Sequence, residues 1–288
     1  MPNKKLRGFT LIEVLVVLAI VALLMSVLLP GLGRARAAGK EVRGMSNLRQ
    51  LLAAYTLYHT ENDDHVLYGY APPSVGGKDI VIHDKASGYD FKGLPAQRYP
   101  WRISPYLSDV WGVVYGHAKP PPRPASSDSK SVAFSKAYRI SVHPTFGINS
   151  AYVGGHDHFL YKGFIRDGAT YLPNRGAHVV FRASEVRKPS QLLVFADSKS
   201  RGGGVNETDE GLSYVSPPRA NGHQWEVVDG KFKVLNGPGF LGLPEGRYSA
   251  RAVTSFFDGH VKRLLPEELD DMRLWANKAD SRDYDSVK

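Results

Sequence analysis

The sequence predicts an α+β protein: one long N-terminal helix, apolar in its first half and amphipathic in its second, followed by a β-rich, loop-rich body. Three observations predict it. From Val14 to Leu29 the chain is apolar except for Ser26, and Pro30 closes the run. Beyond Pro30, the apolar residues Ala38, Val42, Met45, Leu48, Leu52 and Tyr55 recur at helical spacings of three and four. From about His65 the period changes to short β-like runs between Gly, Pro, Asp and Asn clusters, in a chain with 29 glycines and 19 prolines.

The composition suits a packed body. Hydrophobic residues make up 42% and aromatics 11% of 288 residues, enough for a long helix and a sizeable core. Lys and Arg exceed Asp and Glu by 37 to 28, a formal charge of +9. Part of the excess lies before the apolar run, at Lys4, Lys5 and Arg7, and part just after it, at Arg34, Arg36, Lys40, Arg43 and Arg49. Those flanks have the charge to meet anionic lipid head groups, or to form a solvated helix face. The basic residues do not interleave with aromatics and no nucleic-acid module is present, so no nucleic-acid partner is expected. There are no cysteines, which excludes disulfides, Cys-ligated zinc and thiol catalysis.

The first element is a basic leader, residues 1–8. Residues 9–29 follow as a transmembrane helix, since at ~1.5 Å per residue that length matches a hydrocarbon core of ~30 Å. A plain signal anchor fits the basic start and the length. So does a secretory signal peptide cut near Ala35-Arg36-Ala37. Neither accounts for Glu13, because a carboxylate in an apolar segment is costly and needs a partner. The flanks do not orient the segment, because both are basic.

Gly8-Phe9-Thr10-Leu11-Ile12-Glu13, behind a basic leader and ahead of this apolar run, resembles the prepilin motif of type IV pilins and type II secretion pseudopilins. The resemblance implies a pilin-like fold and a structural rather than enzymatic role. It implies that a prepilin peptidase/methylase cuts after Gly8 and N-methylates Phe9. It implies that Glu13 faces the charged terminus of a neighbouring pilin-like subunit, so that two opposite charges are buried together. It also implies a single-pass inner-membrane protein, with the leader cytoplasmic and the C-terminal domain periplasmic or extracellular. Pro30 sits where pilin helices often carry a proline, and its missing N–H predicts a kink or local melting.

Residues 30–62 continue the helix, with its apolar stripe against the body and its end between residues 58 and 62. Residues 63–278 form the β-rich domain. Residues 191–195 read as a buried strand. Asp229-Gly230 and Asp258-Gly259, each between strand-like runs, read as hairpin turns. Residues 119–124 and 126–131, Pro-rich then Ser-rich, read as an exposed loop or a subdomain boundary. Pro266-Glu267-Glu268-Leu269 opens a short helix carrying Leu269, Met272 and Trp275. Residues 279–288 read as a flexible tail.

A second resemblance is scattered over the chain. Ser46-Asn47-Leu48-Arg49-Gln50, residues 101–107, Phe146-Gly147-Ile148-Asn149 and residues 189–197 look like a prepilin-processed family with a late His, nine residues, Asp-Gly signature. Here the signature runs from Tyr248 to Asp258-Gly259, with Tyr248 where that family has histidine. The substitution removes any chemistry that rests on the histidine, so a turn is the role expected of Asp258-Gly259.

Neither a metal nor a cofactor is expected. His156-Asp157-His158 alternates like a ligand pair but has no third ligand in sequence. Asn62-Asp63-Asp64 lacks the spacing and glycine of a calcium loop and reads as a polar cap after the helix. Gly202-Gly203-Gly204 lacks the Lys-Ser/Thr of a phosphate loop, and there is no Gly-x-Ser-x-Gly elbow. The expected function is a pilin-like or pseudopilin-like subunit, minor or specialised because the body exceeds the size of a repeating shaft subunit. The alternative is a membrane-anchored domain whose aromatics in residues 65–175 bind a carbohydrate or surface polymer.

Overall fold

The structure, a computed structural model, describes residues 10–116, 120–156, 164–167, 170–173, 178–201, 211–220, 222–235, 241–248 and 250–285. It divides into two compact units, residues 1–42 and 43–288. A single helix, Leu11–Glu61, contributes to both and runs without interruption through Pro30. In the first unit the helix is exposed from Leu11 to Lys40.

In the second unit the helix is a core element. Gly44, Asn47, Leu48, Leu51, Leu52, Ala54 and Tyr55 are buried. The buried stripe therefore starts later than the spacing suggested. Ala38 and Val42 are exposed, Val42 at 65%, so helical periodicity continues upstream of the part that packs on the body. The helix ends as a polar cap predicts. Asn62 Nδ2 donates to the Tyr58 carbonyl at 2.7 Å, and Asp63 and Asp64 turn the chain with φ of 51° and 67°.

The body is organised by one strand, Leu193–Arg201. It pairs antiparallel with Phe146–Ile148, Leu241–Pro244 and Ala252–Phe256, and the last pairs with Val261–Leu264 to complete five strands. Ala252–Phe256 is buried at every position, because this sheet is covered on both faces. Over one face lies the cluster of Leu48, Leu51, Leu52, Tyr55, Tyr99, Trp101 and Phe195. The Phe195 ring meets Tyr55 and Tyr99 edge-on at centroid distances of 5.7 and 5.2 Å. Over the other lies the cluster of Leu193, Phe256, Trp225, Leu269, Met272 and Trp275. Buried Asn149 ties together segments far apart in sequence, its Nδ2 donating to the Leu193 and Trp275 carbonyls at 3.0 and 2.9 Å.

Among the described residues, four two-stranded hairpins accompany this sheet. One is Trp225–Val228 with Lys231–Val234, turning at Asp229 and Gly230 with φ of 50° and 68°, a type I′ signature. The body also carries helices that the sequence did not announce. Lys130–Val142 is a helix of 13 residues, beginning inside the expected Ser-rich loop. Residues 94–114 hold three further short helices. The late helix is shorter than expected: Pro266–Leu269 is followed by a separate 3-10 turn, Met272–Leu274. Residues 279–285, expected as a tail, pack on the body. Ala279 is buried, the Met272 amide donates to the Arg282 carbonyl at 3.0 Å, and Asp283 pairs with Arg219 at 3.0 Å.

Candidate functional site

The first candidate site is the start of the long helix. Thr10 precedes the first helical residue, Leu11, and Glu13 is third in the helix. The two side chains close a reciprocal cap. Glu13 Oε2 accepts from the Thr10 backbone N and Oγ1, both at 2.8 Å, and the Glu13 amide donates to Thr10 Oγ1 at 3.3 Å. This is a capping box, written in sequence as Thr-x-x-Glu ahead of an apolar run. Reading Glu13 only as an assembly residue misses that role. The cap uses Oε2 alone, leaving Oε1 without a hydrogen bond among the described residues. Gly8 and Phe9 lie outside the described residues.

The helix that follows is long and apolar enough to cross a membrane, and none of its most apolar stretch is buried. Leu11 is 79% exposed and Val27 76%. The strand-poor backbone around Pro30 stays helical, and Ser26 Oγ, one turn before it, donates to the Leu23 carbonyl at 2.7 Å.

The second candidate is the late signature, whose members have different surroundings. Tyr248 is buried and its ring lies against Gly44 of the long helix. A Cβ built at Gly44 would stand 2.6 Å from Tyr248 Oη and 3.0 Å from Cζ. Asp258 and Gly259 occupy the turn between Ala252–Phe256 and Val261–Leu264, where Gly259 has a φ of 100°. Asp258 Oδ1 accepts from the His260 amide at 3.2 Å and contacts His260 Nδ1 at 2.6 Å. Partial burial pushes its pKa up, but the bonds from His260 outweigh this and hold it below the usual carboxylate range.

Sequence reasoning missed a buried charge beside this signature. Asp197 is fully buried, accepts from the Val253 amide at 2.9 Å, and lies 3.9 Å from Arg247 Nε. Burial raises its pKa to about 7, against the opposing pull of Arg247 and the Val253 bond. No local pattern could pair residues fifty positions apart. The sheet brings them together.

Among the described residues there is no group of three side chains able to hold a metal ion. His156 is buried, stacked on Tyr70 at 4.8 Å and edge-on to Tyr214 at 4.9 Å, while Asp157, His158 and Gly202 to Gly204 lie outside the described residues.

Residues 3–29 match the family model described as the prokaryotic N-terminal methylation motif. No curated protein and no solved structure matches the chain. The matched segment spans the basic leader, Glu13 and the apolar run and ends before Pro30. With the exposed apolar helix, it supports a membrane-anchored, single-pass prepilin of the pilin or pseudopilin type, processed by a prepilin peptidase.

Proposed function

We propose that the chain is a subunit of a type IV pilus or type II secretion-type assembly, minor or specialised in role, cut between Gly8 and Phe9 and methylated on Phe9. The observation that carries this reading is an apolar helix of membrane length, wholly exposed, headed by a carboxylate whose cap leaves one oxygen unused. So much apolar surface demands cover, and lipid and neighbouring helices are the two covers a prepilin meets in turn. In the membrane the leader is cytoplasmic and the β-rich domain periplasmic or extracellular. During assembly the spare oxygen of Glu13 receives the cationic N-terminus of the next subunit, and charge pairing sets the register. Pro30, lacking an N–H, gives the helix a place to bend as it moves from lipid to filament.

The capping box allows a sharp test. Glu13→Gln keeps an oxygen for the Thr10 amide, so the helix start survives, but it removes the charge. We expect Glu13→Gln to insert in the membrane and be processed to Phe9 like wild type, and to lose co-purification with partner subunits. Intact mass of the membrane-extracted protein checks the first outcome, and crosslinking from a position near residue 13 checks the second. A wild-type chain beginning near Ala38 would mean ordinary secretion and end the proposal.

A further inference from the structure

A cleft of about 440 Å³ opens beside the last turn of the long helix, within the second unit. Its walls include Tyr58, Tyr68, Trp101 and Tyr106, with Arg102 among them and Lys85 at the rim. The aromatic walls are held in place. Tyr58 and Tyr106 meet edge-on at 5.7 Å, and Asn62 Nδ2 donates to Tyr106 Oη at 3.1 Å. Tyr106 therefore keeps its own O–H to donate.

Arg102 is the unusual member. Its Nη2 donates to the Tyr68 and Gln97 carbonyls, and its Cζ lies 6.0 Å from the Tyr68 ring centroid. These contacts fix the side chain. They leave Nε and Nη1 buried without a hydrogen-bond partner. Burial, opposed by Tyr58 and Tyr68, pushes the Arg102 pKa down to about 10, so it stays a cation, and no carboxylate pairs with it among the described residues. A cation with two buried nitrogens left unmatched is costly, and an anionic acceptor relieves that cost.

The remaining charges of the cleft do not supply one. Asp79 is paired with Lys92 at 2.9 Å, and His83 with Asp90 at 2.8 Å. Lys85 has no ion pair among the described residues and adds a second positive charge. The cleft thus combines positive charge, flat aromatic faces and hydroxyls. A cationic ligand is repelled, and a purely apolar one leaves Arg102 unmatched. A pyranose ring offers C–H faces to the tyrosines and hydroxyls to Tyr106, and a ring carboxylate offers an acceptor to Arg102. We infer that this cleft is a binding site for an acidic sugar unit of the uronic acid class. The inference is independent of processing at Gly8 and of assembly.

The test is calorimetric titration of the full chain in detergent with digalacturonate, neutral galactobiose and benzoate. Digalacturonate is expected to bind, more weakly as salt rises, and the other two at least about tenfold more weakly. Arg102→Lys should weaken digalacturonate binding about tenfold or more, while Lys85→Gln and Tyr106→Phe should each weaken it about threefold. If Arg102→Lys fails to fold by circular dichroism, the Lys85 and Tyr106 variants carry the test. Absence of digalacturonate binding overturns the inference. So does equal binding of galactobiose or benzoate, or wild-type affinity in both the Lys85 and Tyr106 variants.

Discussion

The two parts of the long helix both carry large apolar residues and have opposite fates. Up to Lys40 every described residue is exposed, although most up to Leu29 are large and apolar. From Gly44 to Tyr55 seven residues are buried, although Arg49, Gln50 and Asn47 interrupt the apolar pattern. Composition therefore does not decide which part is a core element. What decides it is the presence of a complementary surface, supplied in the body by the rings of Tyr99, Phe195 and Tyr248. The first part meets no such surface among the described residues.

The largest effect should come from the same truncation made in each part. Leu51 is fully buried and Leu15 is 60% exposed. Leu51→Ala should destabilise the body by about 2–5 kcal/mol, whereas Leu15→Ala should change it by less than about 0.5 kcal/mol. Denaturant unfolding in detergent, followed by Trp fluorescence, checks both. Equal effects would erase the distinction between the two parts.

A smaller effect should change sign between them. Gly33 has nothing within 4 Å of a built Cβ, while Gly44 meets the Tyr248 ring. Gly33→Ala should strengthen the helix by up to about 1 kcal/mol, and Gly44→Ala should cost the body about 1–3 kcal/mol. Adding Tyr248→Phe to Gly44→Ala removes the nearest clashing atom and should recover part of the loss. Without recovery, the Gly44–Tyr248 contact would not be what fixes the helix on the body.

The last effect depends on pH and concerns a carboxylate of the second unit, Asp197 in the core. The folded-state pKa of Asp197, about 7, lies above its ordinary 3.8, so between those values the folded protein holds the proton that the unfolded chain has released. Its contribution to stability is full below about pH 4 and is lost as pH rises through 7. Other carboxylates titrate in the opposite sense, Asp64 and Asp271 among them, so the readout is the difference between wild type and Asp197→Asn. The wild type should lose stability relative to the variant from pH 4 to 7. A difference that does not change with pH would mean that Asp197 is charged throughout.

Much of this architecture is legible locally. The helix end, the Asp229-Gly230 hairpin and the start of the central strand, expected from residue 191 and found from Leu193, rest on caps, turn dipeptides and apolar runs that act within a few residues. Lys130–Val142 escaped because its buried side chains include Ala133 and Ala137, whose small apolar surface gives a weak periodic signal after a Ser-rich start. Packing of residues 279–285 escaped because Arg219, Asp270 and Asp283 are distant in sequence. The site divides the same way. Thr10 and Glu13 form a local motif and were open to reading. Asp197 with Arg247, and Arg102 within its ring of tyrosines, depend on contacts that only the folded chain makes.

Asn149 carries a consequence for the order of events in folding. Its side chain bonds the carbonyls of Leu193 and Trp275. A ribosome delivers the chain from its N-terminus, so residue 149 emerges well before either acceptor, and strand 193–201 emerges before both Leu241–Pro244 and Ala252–Phe256. For that interval the central strand has open edges, the state most prone to wrong pairing. The body cannot close until nearly its whole length has been delivered. A stop or truncation ahead of Trp275 should therefore yield an aggregating or proteolysed product rather than a smaller folded domain.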